Sequence, residues 1–274
     1  MQDTECVSFL QWALPQLQMR WPGFRKVRKQ VCKRLSRRLS ELDVADIEAY
    51  KQYLASHPDE WKRLDGICRV VVTRFYRDKL FFSKLTDDIL PMLASNALKD
   101  GRKELRIWSI GSASGEEAYT LAILWQRQLA TQFPGLQLSI LGTEVDPHLL
   151  ERSRKACYPA GTVKNLPQEL RLAAFTREEE EYCLKRAYQR MVVFKEQDIR
   201  TTLPHQVYDL ILCRNLVFTY FVEPQHRTIL NQLLTRLVPD GWLTVGVRET
   251  LPDGVTGLDM VSERLGLYRR SRSS

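Results

Sequence analysis

The sequence predicts an α/β domain with a largely parallel sheet, preceded by a smaller all-helical domain, and three observations lead to it. Residues 1–85 read as helices throughout. From residue 104 onward, strand-like apolar runs alternate with helical patterns, the texture of βαβ units. The first of these runs ends in a stretch of small residues, Gly111-Ser-Ala-Ser-Gly115, directly before a helical pattern. At 274 residues the chain is longer than one small core needs, which fits a division into residues 1–85 and 86–274.

In the N-terminal part, Val31, Leu35, Leu39 and Leu42 recur at steps of four, four and three, the apolar stripe of an amphipathic helix. Asp43 is placed to cap a second helix carrying Ile47, Tyr50 and Leu54. His57-Pro58-Asp59 ends it, and Trp61, Leu64, Ile67 and Cys68 mark a third. A polar stretch over 96–104, with Lys-Asp-Gly-Arg-Lys as a turn, precedes the change of texture. Strands are expected at 105–110, 136–142, 191–194, 208–213 and 242–247, with helices near 116–131, 146–157 and 223–237.

With 44% hydrophobic and 27% charged residues, the chain is too apolar for a disordered protein. No apolar run approaches the roughly 20 residues of a bilayer span, and the start lacks a basic signal-type region, so no membrane insertion and a cytoplasmic location are expected. The cysteines, at 6, 32, 68, 157, 183 and 213, include no CxxC pair and are expected to be reduced, small buried hydrophobes. None of the four histidines has the spacing of a helical metal site, and no metal is expected. The net charge of +8 is concentrated: residues 20–38 hold nine basic residues and no acidic one. Such a run is either a docking face for an acidic partner or a solvated helix surface. No aromatic side chain is interleaved among its basic residues from 25 onward, so nucleic acid ranks last as a partner.

The elbow at 111–115 lets a ligand approach backbone at the carboxyl end of a first strand. It is neither a GxGxxG nor a Walker loop, and Glu116-Glu117 would repel a phosphate placed there. A ligand without phosphate and with positive charge fits, as in the sulfonium and amine of S-adenosylmethionine; a tight turn before a helix-starting Glu pair is the alternative. The second strand ends in Leu141-Gly-Thr-Glu144, a carboxylate able to accept both hydroxyls of a ribose. Phe194-Lys-Glu-Gln-Asp198-Ile199 and Cys213-Arg214-Asn215 bring polar residues to two further strand ends.

These residues together resemble the chemotaxis-receptor (CheR-type) methyltransferases, which use S-adenosylmethionine to methylate glutamate side chains. Arg34-Leu-Ser-Arg-Arg-Leu39 is similar to that family's Arg-Leu-x-x-Arg-Leu helix, and Thr73-Arg-Phe-Tyr-Arg77 to its Thr-x-Phe-Phe-Arg. The run from Ile107 through Gly-Glu-Glu-Ala-Tyr119 resembles the family's cofactor signature. Ile211-Leu-Cys-Arg-Asn215 and Gly241-Trp-Leu-Thr-Val-Gly246 with Glu249 resemble its closing motifs. The resemblance implies a Rossmann-like class I methyltransferase domain, with a short β-subdomain near 176–195. It implies that Thr73 and Arg77 hold the methionine end of the cofactor, Glu116 its amine or sulfonium region, Glu144 the ribose, and Asp198 with Ile199 the adenine. Arg214 and Asn215 would line the wall beside the reactive methyl.

The chain departs from the family pattern at several positions. Val71 stands for an asparagine, Glu144 for an aspartate, Asp198 for an asparagine and Ala118 for a proline. Asn215 to Tyr220 takes five steps where four are usual. A glutamate acceptor is ionised at neutral pH and needs no general base, so alignment and exclusion of water are expected to carry the rate. Tyr220 is the candidate to position the acceptor, with aromatic packing as the alternative. The expected partner is an acidic helical protein, chemoreceptor-like, meeting a monomeric enzyme at Arg34, Arg37 and Arg38. A cofactor-binding regulatory module without catalysis, or a methyltransferase with another acceptor, are the alternative functions.

Overall fold

A computed structural model describes residues 2–271. The chain divides into one unit that runs up to Val72 and includes Leu216–His226, and a second formed by Thr73–Asn215 and the chain from Arg227 on. The division falls at Val72 because the helices that follow bury Phe81, Phe82, Leu85 and Ile89 in the core of the second unit. Among the described residues, no helix is long and apolar enough to cross a membrane.

The first unit is helical: α1 (Asp3–Gln16), α2 (Trp21–Phe24), α3 (Arg28–Glu41), α4 (Ile47–Ser56) and α5 (Glu60–Cys68). The apolar spacing works as expected, since Val31, Leu35 and Leu39 of α3, Tyr50 and Leu54 of α4, and Leu64 and Cys68 of α5 are all buried. The cap of α4 is Asp46, which accepts from the Ala49 N–H at 2.9 Å; Asp43 sits earlier, in a left-handed turn (φ 52°). The segment from Leu216 joins this unit by burying Val217, Phe218 and Phe221 and by a bridge between Met19 and Phe221. Gly23 makes its approach possible, because a Cβ there would lie 2.3 Å from the Thr219 carbonyl oxygen.

The second unit is built on a seven-stranded sheet. Its strands are β1 (Glu104–Ile110), β2 (Gln137–Glu144), β6 (Val192–Glu196), β7 (Tyr208–Cys213), β8 (Leu237–Val245), β9 (Leu258–Ser262) and β10 (Leu267–Arg270). They run in the order β6-β2-β1-β7-β8-β10-β9, parallel except that β10 is antiparallel to both its neighbours. This is the doubly wound arrangement expected, with the order reversing between β1 and β7, where such sheets open a crevice at their carboxyl ends. β7 is buried at every position, as a strand covered on both faces by helices must be. Helices α6 (Lys79–Lys84) and α7 (Leu90–Lys99) are joined by a wide π-turn over Leu85–Ile89. Helix α8 (Glu116–Leu124) follows β1, and α9 (Pro147–Lys155) follows β2.

A separate three-stranded sheet, order β3-β5-β4, is formed by β3 (Cys157–Pro159), β4 (Phe175–Glu178) and β5 (Glu181–Leu184). The expected subdomain near 176–195 therefore begins earlier, and its second half, β6, belongs to the large sheet. The cysteine expectation needs correction. Cys6 is bonded to Cys32, joining α1 to α3, and Cys157 to Cys183, which face each other across β3 and β5. Cys68 and Cys213, both buried, are outside these disulfides, and burial pushes the Cys68 thiol up to about 12. Both bonded pairs are 26 residues apart in sequence, a separation that carries no pairing signal until the elements are packed.

Candidate functional site

Four segments of the second unit meet the carboxyl ends of β1, β2, β6 and β7. The first is the elbow after β1, where Gly111, Ala113 and Gly115 all take positive φ (63°, 50° and 91°). A Cβ on Gly115 would lie 2.8 Å from the Phe194 ring, and one on Gly142 of β2 2.6 Å from the same ring. Glycine is thus required where β1, β2 and β6 close on one another. The loop is tied down by the Ser112 N–H donating to the Thr143 carbonyl at 2.9 Å and by the Tyr158 hydroxyl donating to the Ser114 carbonyl at 2.7 Å.

Glu116, first residue of α8, is 1% exposed. Ser114 Oγ donates to its Oε1 at 3.0 Å, while its Oε2 and the neighbouring Ser112 Oγ are buried without a hydrogen-bond partner. Burial pushes the Glu116 carboxyl above its ordinary range, against the opposing pull of the Ser114 and Thr73 hydroxyls and the Arg152 charge. A cationic group placed against Oε2 would satisfy it and restore the ionised form.

Glu144, at the end of β2, is 9% exposed and accepts three backbone N–H groups: Ala113 at 3.0 Å, Val145 at 2.8 Å and Asp146 at 3.2 Å. Its longer arm lets it brace the elbow; Oε1 takes two of these bonds and Oε2 one, so Oε2 keeps lone-pair capacity for a ligand hydroxyl. Beyond β6, Asp198 is gripped by Arg200, whose Nε and Nη2 reach its two oxygens at 3.0–3.1 and 2.6 Å. The charge that replaces the expected amide is therefore neutralised locally, and Ile199 beside it is buried.

Thr73-Arg-Phe-Tyr-Arg77 is a rigid turn. Phe75 is fully buried, edge-on to Tyr158 and Phe175 with centroids 4.8 and 5.2 Å away. Tyr76 is left-handed (φ 55°), stacks on Phe82 and donates its N–H to Thr120 Oγ1 at 3.1 Å. Asp78 is left-handed as well (φ 62°), so half-buried Arg77 projects between two residues in a conformation that favours glycine.

Arg214 and Asn215 follow β7. The Arg214 side chain is 2% exposed and held from two sides: Nη2 pairs with Asp78 Oδ2 at 2.6 Å, Nη1 with Glu117 Oε2 at 2.8 Å, and the guanidinium lies 3.8 Å over the Phe81 ring, while its buried Nε has no hydrogen-bond partner. Asn215 is left-handed (φ 55°), and its N–H and that of Gly246 both donate to Glu249 Oε2, at 2.7 and 2.6 Å.

Thr73, Arg77, Glu116, Glu144, Asp198, Ile199, Arg214 and Asn215 all belong to this unit. Tyr220 does not. It lies in the helical unit, edge-on to Phe24 at 5.1 Å, its carbonyl accepting from the Arg20 N–H at 2.8 Å. Of the basic triad, Arg34 donates to the Arg69 and Ile67 carbonyls at 2.6 and 3.3 Å, capping the end of α5. Arg38 makes a two-pronged pair with Glu60 at 2.9 and 2.7 Å, and the Tyr50 hydroxyl donates to the same carboxylate at 2.8 Å. Two of the three arginines expected at a docking face are thus occupied, and only Arg37 is exposed. Asp78, Glu117 and Arg200 escaped the sequence reading; the doubled acid Glu116-Glu117 was the only local signal for any of them. Among the described residues, one grouping of metal-type side chains, Cys157, Glu178 and Cys183, is found, and its two sulfurs are bonded to each other.

Residues 71–265 match the family model described as CheR methyltransferase, SAM binding domain. Among curated relatives, the chemotaxis protein methyltransferase of Escherichia coli is 30% identical, the match covering 81% of this chain and 76% of that protein. That of Borreliella burgdorferi is 31% identical over 65% of this chain and 64% of its own length. That of Listeria innocua is 30% identical over 59% of each. The chain thus spans less than two thirds of the length of the Borreliella and Listeria relatives.

Proposed function

Because the chain belongs to the CheR methyltransferase family, we propose that it is an S-adenosylmethionine-dependent methyltransferase that esterifies glutamate side chains of an acidic, helical, chemoreceptor-like protein. The observation that carries this reading is Glu116, a buried carboxylate with one oxygen unpartnered inside a loop of small residues. Desolvation penalises its charge until a cation arrives, which makes it a receptor for a cationic ligand. When bound, S-adenosylmethionine supplies a methyl group made electrophilic by its sulfonium. Thr73 and Glu116 take the amine end, and Arg77 pairs with the α-carboxylate by a charge-assisted bond. Glu144 accepts from the ribose hydroxyls, and Ile199 offers the adenine an apolar wall beside Asp198. Asn215 is presented by its left-handed turn at the remaining edge. The acceptor carboxylate is already ionised at neutral pH, so the protein's share of the rate is alignment and exclusion of water. Tyr220, in the other unit, receives no role in this account.

Calorimetric titration with S-adenosylhomocysteine tests the cofactor part. Binding is expected, and Arg77→Ala is expected to weaken it by about 1.5–3 kcal/mol; absence of binding at millimolar ligand overturns the reading. Methyl transfer from labelled cofactor tests the acceptor. A carboxyl methyl ester releases its label as methanol in mild base, whereas a label that survives base would exclude a carboxyl acceptor.

A further inference from the structure

Arg214, Asp78 and Glu117 form an ion triad, a buried guanidinium between two half-buried carboxylates, whose members come from three different segments of the second unit. Each is the immediate sequence neighbour of a residue assigned to the cofactor: Asp78 follows Arg77, Glu117 follows Glu116, and Arg214 precedes Asn215. The triad has its own supports. Ser109 Oγ, from inside β1, donates to Glu117 Oε1 at 3.0 Å, and the Phe81 ring covers the guanidinium at 3.8 Å. Asp78 occupies the N-cap position of α6 but makes no capping bond with its side chain, although aspartate is a favoured cap. Its carboxylate pairs with Arg214 instead, on a backbone held in the left-handed conformation.

The geometry points to this triad as the positioning device of the site. It fixes the spacing of Arg77, Glu116 and Asn215, and Arg214 acts through it rather than by touching the cofactor. One guanidinium with a planar fork holds two carboxylates at fixed angles, which a point charge cannot do. Glu117 and Asp78 are accordingly positioning residues for the methionine end of the ligand. Glu144, which serves the ribose, is braced by the backbone of Ala113, Val145 and Asp146, and Asp198 by Arg200, neither by the triad. The inference rests on the cofactor reading proposed above.

The test compares two ligands, S-adenosylhomocysteine and 5′-methylthioadenosine, which share adenine, ribose and sulfur but differ in the amino-acid end. Affinities are measured by calorimetry for the wild-type protein, Asp78→Asn, Glu117→Gln and Arg214→Lys, with the thermal midpoint of each free protein as a check on folding. Each variant is expected to lose about tenfold in affinity for S-adenosylhomocysteine, equivalent to about 1.4 kcal/mol, and to bind 5′-methylthioadenosine as the wild type does. Arg214→Lys keeps the buried charge and guards against failure of the two neutralising variants to fold. Wild-type protein that binds neither ligand overturns the cofactor reading and this assignment with it. Wild-type protein that binds both, with variants that lose affinity for both equally or for neither, overturns the positioning role alone.

Discussion

Removing the guanidinium that faces Glu60 leaves a carboxylate of 6% exposure with a single tyrosine hydroxyl as partner, so Arg38→Ala is expected to destabilise the helical unit by about 3 kcal/mol. Denaturant unfolding checks this, and Arg37→Ala, at an exposed position, should change little. His226 offers a second test at this scale. It is buried against Phe218, with Nε2 unpartnered, and burial together with the nearby Arg20 charge holds its pKa below the ordinary histidine value, despite the opposing pull of Glu223. The unfolded chain therefore binds the proton more readily than the folded one, and stability must fall as the pH drops from above the unfolded value of about 6.5. Thermal midpoints from pH 7.5 to 5 should decline in the wild type and decline less in His226→Phe. Gly115→Ala is expected to cost about 1–3 kcal/mol, since the added methyl meets Phe194 at 2.8 Å in a left-handed backbone.

At the scale of elements, α3 shows how a basic helix is divided between folding and surface. Lys29, Lys33 and Arg37 are exposed and spaced by four, one row along the helix, while Arg34 and Arg38 point into neighbouring helices. Reversing Lys29, Lys33 and Arg37 to glutamate is expected to leave the unfolding midpoint within a few degrees. If the row guides an acidic partner, the same variant slows methyl transfer to it most at low salt, which a transfer assay across ionic strength would read. The sequence could reveal that α3 is amphipathic, but not that Glu60, two helices away, claims Arg38. The same limit governs the strands. β7 was legible because every residue but Asp209 is apolar, as a doubly covered strand demands, and β1 because Leu105, Ile107, Trp108 and Ile110 stand together before the small-residue elbow. β3, β4 and β5 are three or four residues long, and β4 is mostly exposed, so neither period nor composition marks them. The strand ends that form the candidate site were legible where small or acidic residues close a strand, as at Gly111–Gly115 and Glu144. The triad was not, since its members stand far apart in sequence.

For the whole molecule, the chain passes from the first unit to the second after Val72, returns at Leu216 and leaves again after His226. A fragment beginning at Thr73 would carry Val217, Phe218 and Phe221 without the helices that bury them. It should bind a hydrophobic dye and aggregate, while the full chain does neither. Cofactor binding in the second unit should raise the melting temperature with ligand concentration, as any ligand selective for the folded state must.

That return also sets an order of assembly during synthesis. The helices up to Val72 leave the ribosome early, yet the contacts of Met19, Arg20 and Gly23 with the segment from Phe218 to Phe221 must wait until the entire run from Thr73 to Asn215 has been translated. For that interval the nascent helices lack the segment that covers them, and the apolar surface awaiting Phe218 and Phe221 stays open to other contacts.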